Sequence, residues 1–90
     1  MVVELYSKRR CPLCDEAREV VESALRDLPV EYRLRYIEDS EDLWTRFRFE
    51  VPVVAVDGEV LFLHRVDPAR LLEELRARGM TVAHVPPEDA

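Results

Sequence analysis

The spacing of apolar and polar residues changes along this chain, and each change of period marks a new element. Met1 to Tyr6 is rich in β-formers and is broken by the polar, basic stretch Ser7 to Arg10, which predicts a strand and a loop. From Leu13 the apolar residues fall at Leu13, Ala17, Val20, Val21, Ala24, Leu25 and Leu28, the spacing of one helical face, and Pro29 ends the pattern. Asp15, Glu16, Arg18, Glu19, Glu22 and Arg26 take the opposite side, with Glu22 and Arg26 spaced for an i,i+4 ion pair. Tyr32 to Ile37 alternates, so Tyr32, Leu34 and Tyr36 share one face of a half-buried strand and Arg33 and Arg35 share the other.

Ser40-Glu41-Asp42 is a helix start, with acid at the positive end of the helix dipole, and predicts a short helix to about Phe47. Val53 to Val56 and Val60 to Leu63 flank Asp57-Gly58, the preferred pair for a two-residue hairpin, so those strands should be antiparallel neighbours. Asp67 as cap, Pro68 at the first helical position, a stripe of Ala69, Leu71, Leu72 and Leu75, and Gly79 as the left-handed stop define a last helix. Beyond it, Thr81 to Val85 reads as a short strand or a strap, and Pro86 to Ala90 as a frayed end. The order β-α-β-α-β-β-α, with a helical crossover between the first two strands, predicts an α/β fold: a mixed four-stranded sheet with helices on both faces. Residues 1–80 should form a single domain and residues 81–90 a C-terminal extension.

Composition narrows what such a domain does. Its 90 residues carry a net charge of −6, which argues against a nucleic-acid binder that works by neutralising phosphates. No apolar run approaches the ~18 residues that span a bilayer, and no charged-then-apolar signal pattern opens the chain, so a cytoplasmic protein is expected. There is no Asn or Gln, and Lys8 is the single lysine among 13 basic residues. Both features suit a thermophilic or GC-rich source.

Chemistry is concentrated in Cys11-Pro12-Leu13-Cys14, where the first loop enters the first helix. Pro12 belongs in a first helical turn, which puts Cys11 near the N-cap, facing unpaired N–H groups and the positive end of the dipole, a setting that favours the thiolate. Lys8, Arg9 and Arg10 add positive charge nearby. Cys14 lies one turn on, roughly 5–6 Å away and within disulfide reach. These positions make Cys11 the nucleophile and Cys14 the thiol that resolves a mixed disulfide. Other uses of the pair fit less well. A four-residue disulfide loop adds little entropy, and His64 and His84 match no common zinc-finger spacing, so no metal is expected. Trp44, Phe47 and Phe49 read as packing between the second helix and the sheet, and Glu38, Asp39, Glu41 and Asp42 as a solvated loop and helix start. His64 ends a strand as a structural residue, and Arg46 and Arg48 either extend the positive rim or face solvent.

Leu5-Tyr6-Ser7-Lys8 followed by Cys11-Pro12-Leu13-Cys14 opening a helix resembles the glutaredoxin signature of the thioredoxin superfamily, with the likeness running over about residues 2 to 79 and nearest to the small bacterial glutaredoxin-like proteins. The resemblance implies a thioredoxin-like fold and a thiol-disulfide oxidoreductase in which Lys8 and Arg10 stabilise the thiolate. It further implies a cis proline at Val51-Pro52, with Pro12, Leu13, Val51 and Pro52 facing the substrate and the Val51 backbone free to pair with it. Where family members that bind glutathione carry Thr-Val-Pro and a later Gly-Gly with an acid, this chain has Glu50-Val51-Pro52 and Leu63-His64-Arg65-Val66-Asp67. Lys8, Val51 and Asp67 are the positions that would contact glutathione, and Glu50 would repel its carboxylate. The implied partners are a protein or small-molecule disulfide as substrate and glutathione or a thioredoxin-type reductase as electron donor. The protein would be a monomer without a bound cofactor, with glutathione as a co-substrate. Two alternatives stand beside this reading: a carrier holding an iron-sulfur centre or another metal, or a protein-interaction module that kept the fold without the activity.

Overall fold

The computed structural model describes residues 1–81. The elements are β1 (Val2–Ser7), α1 (Pro12–Leu25), β2 (Glu31–Tyr36), a 3-10 turn (Ile37–Asp39), α2 (Glu41–Phe47), β3 (Val53–Val56), β4 (Glu59–Leu63) and α3 (Pro68–Ala77). Together they make an α/β fold with one mixed sheet in the order β2-β1-β3-β4. β1 and β2 are parallel, joined through α1, with Leu5 opposite Leu34, while β1–β3 and β3–β4 are antiparallel. The extra strand or strap expected over Thr81–Val85 and the frayed end at Pro86–Ala90 lie, past Thr81, outside the described residues.

Period-2 alternation divides the interior into two cores on opposite faces of the sheet. Val3, Leu5, Val54 and Val56 pack with Ala17, Val21 and Leu25 of α1 and with Leu71 and Leu75 of α3. On the reverse face Tyr6, Val53 and Ala55 meet Ile37 and Phe47, so α2 and the 3-10 turn cover that side. Helices therefore lie on both faces, as the pattern predicts. The hairpin is tight: Asp57 and Gly58 both have positive φ (48° and 87°) and Val56 pairs with Glu59, so β4 begins one residue earlier than expected.

Several local expectations are corrected. α1 stops at Leu25 and not near Leu28. Pro29 disfavours helical φ/ψ at Leu28, and the chain reverses through left-handed Asp27 (φ 66°), leaving Leu28 packed on the core from the turn. Arg26, now beyond the helix, does not pair with Glu22, whose carboxylate takes Arg18 at 2.9 Å and the Tyr32 hydroxyl at 2.8 Å. The buried stripe of α1 is Cys14, Ala17, Val21 and Leu25, while Leu13 is 48% exposed, because the helix starts at Pro12 and its phase turns Leu13 outward. Ile37 leaves the strand for the 3-10 turn, which drops it into the second core. Ala69 is exposed on α3. Of the three aromatics expected under α2, Phe47 alone is buried, stacked on Tyr6 at 4.8 Å; Trp44 is 38% and Phe49 78% exposed, since a seven-residue helix has one short inward stripe.

Candidate active site

The loop from β1 to α1 turns through Arg10, which holds a left-handed φ of 56°, a conformation that non-glycine residues adopt at some cost. That turn delivers Cys11 to the N-cap of α1 in extended geometry, with Pro12 in the first turn behind it. The Cys11 sulfur accepts the backbone N–H of Cys14 at 3.2 Å, the place an oxygen cap ordinarily takes, and the Cys11 carbonyl accepts from Asp15 N at 3.0 Å. Both thiols are free; Cys11 is half-buried and Cys14 is 0% exposed. Burial first, and then the Cys11 sulfur beside it, push the Cys14 thiol from the ordinary 9.0 up to about 11, opposed by the Lys8 backbone N–H and the Ser7 hydroxyl.

The three basic residues before the motif separate. Lys8 is half-buried, and Arg10 is exposed. Arg9 is committed elsewhere: its guanidinium meets Asp39 at 3.0 and 3.2 Å and lies 4.4 Å over the Tyr36 ring, and its backbone N–H donates to Glu38 at 2.8 Å. Glu38 and Asp39 are thus not merely solvated; they anchor the loop that carries Cys11. Among the described residues no group of three or more His, Cys, Asp or Glu is placed to hold a metal ion, and no helix is long and apolar enough to cross a membrane.

The second half of the site comes from the chain entering β3. Val51-Pro52 is a cis peptide, as the resemblance implies, and Pro52 is buried. Tyr6 pairs with Val53, so one step further along the antiparallel register sets Pro52 beside Ser7, at the sheet end from which the cysteine loop departs. The Val51 backbone, expected to be free, has one group already engaged. Its N–H already donates to Phe47 O at 3.1 Å, because the end of α2 turns directly into this segment, and its carbonyl is in no hydrogen bond among the described residues.

Glu50 is not an isolated charge. Its carboxylate lies 3.1 Å from His64 Nε2, and His64, at a left-handed φ of 70°, donates its backbone N–H to Pro52 O at 2.8 Å. This link across the proline, between residues 14 apart in sequence, was not legible beforehand; the one local signal was His64 directly after a strand. Leu13 lines a shallow groove of about 120 Å³ together with Glu16, Ala17, Val20 and residues 64–66. Asp67 stands at the N-terminus of α3 as expected, its carboxylate accepting Ala69 N at 3.0 Å. Arg46 and Arg48 lie over the rings of Phe47 and Phe49, at 4.7 and 4.8 Å.

Comparison with known proteins places this geometry. The family model described as a glutaredoxin-like domain (DUF836) matches residues 2–76. A glutaredoxin-like protein YDR286C homolog from Dictyostelium discoideum is 27% identical over 79 residues, covering 81% of this chain and 73% of that protein. A thioredoxin from Methanocaldococcus jannaschii is also 27% identical over 79 residues, covering 84% and 93%. Among solved structures, a structural-genomics target protein from X. campestris superposes with a TM-score of 0.68 at 29% identity, covering 83% of this chain and 96% of that one. The oxidized form of mitochondrial thioredoxin 3 from Saccharomyces cerevisiae shares the fold, with a TM-score of 0.59 at 16% identity over 84% of this chain and 76% of its own.

Proposed function

Because the chain belongs to the family of glutaredoxin-like domains and has a thioredoxin-like fold, we propose that it is a thiol-disulfide oxidoreductase working through Cys11 and Cys14. The observation that carries this reading is Cys11 at the N-cap of α1, its sulfur accepting the Cys14 N–H at 3.2 Å. That sulfur stands at the positive end of the α1 dipole, and Lys8 and Arg10 belong to the loop that leads to it.

In the first step the Cys11 thiolate attacks one sulfur of a substrate disulfide. A Cys11–substrate disulfide forms, the substrate S–S bond breaks, and the other substrate sulfur leaves as a thiolate. Cys14, buried and protonated at neutral pH, does not compete for that attack. In the second step Cys14 gives up its proton and attacks the Cys11 sulfur. The Cys11–Cys14 disulfide forms and the bound substrate half departs, taking up a proton as a thiol. The substrate gains two electrons, the dithiol loses them, and no bound cofactor is needed.

Pro12, Leu13, Pro52 and the carbonyl of Val51 face the substrate. Since the Val51 N–H is already used, an incoming chain would gain one backbone hydrogen bond there and not a pair. The substrate is a protein or small-molecule disulfide, and glutathione or a thioredoxin-type reductase returns the electrons in a reducing compartment such as the cytoplasm. A glutathione molecule would meet Lys8, Val51 and Asp67, next to the Glu50–His64 pair. Cys11→Ser should abolish turnover of a small disulfide, whereas Cys14→Ser should accumulate a mixed disulfide visible by mass spectrometry. An active Cys11→Ser protein would end the proposal.

A further inference from the structure

His64 follows β4 at a left-handed φ of 70°, a conformation that costs a non-glycine residue free energy. Two hydrogen bonds hold it there. One step past the Val53–Leu63 pair, its backbone N–H donates to Pro52 O at 2.8 Å. Its ring Nε2 lies 3.1 Å from Glu50 Oε1, and because an ionised carboxylate only accepts, the ring is the donor. Residues 50 and 52 are therefore both tied to one residue, and Val51 stands between them.

Val51 is itself tied on one side, since its N–H donates to Phe47 O at 3.1 Å, and its carbonyl is the group left for an incoming chain. The side chains of His64 and Glu50 are 55% and 41% exposed, and a pair so open to water adds little to stability. Backbone strain at a surface pair that contributes so little points to a functional constraint on the segment it holds. His64 also borders the groove that Leu13 of the cysteine motif lines. The clasp thus adjoins both the proline segment and the first turn of α1.

We propose that Glu50 and His64 are positioning residues for peptide substrates, a clasp that fixes the direction of the Val51 carbonyl so that it accepts a backbone N–H beside the substrate's disulfide. Resting on the thiol-disulfide exchange proposed above, this role deepens it by favouring peptide disulfides over those without a backbone. Neither residue exchanges protons or electrons with the substrate. A carbonyl fixed beforehand spares the ordering that docking would otherwise require. A disulfide that lacks a backbone N–H gains nothing from it.

The test compares two uncharged disulfides, the dimer of N-acetyl-Ala-Cys-Ala-amide and 2-hydroxyethyl disulfide, of which only the first offers backbone N–H groups. The reduced full chain is mixed with excess disulfide and quenched with acid, and the loss of protein thiols, followed by mass spectrometry, gives a second-order rate constant for each. His64→Gly deletes the ring and keeps the backbone, since glycine adopts a φ of 70° freely. It should lower the ratio of the peptide rate to the hydroxyethyl rate about fivefold, the equivalent of about 1 kcal/mol. Glu50→Ala should lower the ratio by a similar factor, and Glu50→Gln, which still accepts from the ring, should hold it within about twofold of the wild type. A ratio unchanged in either His64→Gly or Glu50→Ala overturns the role, and equal slowing of both disulfides has that meaning, since it marks a structural effect. A Glu50→Gln protein as impaired as Glu50→Ala also overturns it, because the charge and not the clasp is then at work. A wild-type protein oxidised by neither disulfide instead removes the exchange reaction itself, and the role of the clasp with it.

Discussion

Cys11 and Cys14 are three residues apart and occupy different media. One sulfur caps a helix at the surface, and the other is sealed inside the α1 core. Iodoacetamide at neutral pH should therefore alkylate Cys11 and spare Cys14, a distinction that peptide mapping resolves. The Cys14 thiol also links stability to pH. Its affinity for a proton is raised from 9.0 to about 11 in the native state, so between those pH values the unfolded chain loses a proton that the native chain keeps. The contribution is present in full below pH ~9 and lost as pH rises towards ~11. Urea unfolding of the reduced protein should show this alkaline decline, and Cys14→Ala should show less of it. The cysteines, their spacing and Pro12 were readable in the sequence, since a helix start is a local event. The ties of Arg9 to Glu38 and Asp39 were not, because those partners are 29 and 30 residues away.

The elements follow from capping and turn chemistry that acts over a few residues. Ser40 accepts Leu43 N at 3.2 Å and Asp67 accepts Ala69 N at 3.0 Å, each closing one open N–H of a helix start. Ser40→Ala should lower stability by about 1 kcal/mol, seen as a drop in urea midpoint at unchanged slope. The hairpin makes a separate prediction. A Cβ at Gly58 would meet nothing within 4 Å, yet its φ of +87° strains any L side chain, so Gly58→Ala should cost about 1–2 kcal/mol through the backbone alone. Two element boundaries and faces depart from the simple periodicity. Proline restriction and a left-handed Asp27 shortened α1, and β4 carries an irregularity opposite Val54/Ala55 that lets Leu61 and Phe62 both pack towards the α1 and α3 core.

At the scale of the molecule, the described residues form one sheet between two unequal cores, and the smaller, on the α2 side, hangs on few residues. Phe47→Ala removes the ring stacked on Tyr6 and should destabilise by about 3–5 kcal/mol in chemical denaturation. The absence of Asn and Gln leads to an expected melting temperature above the ordinary mesophile range of ~45–65 °C, measurable by calorimetry. The sequence by itself determined the order of elements, their caps, the Asp57-Gly58 hairpin and the cysteine pair at a helix start. Each of these depends on periodicity or turn chemistry within a few residues. Tertiary structure alone decided that Trp44 and Phe49 face outward, that the Val51 N–H is spent on Phe47, and that Glu50 meets His64 across Pro52. Those facts depend on which faces of distant elements are pressed together, and strand pairing and sheet parity set that only once the chain has folded.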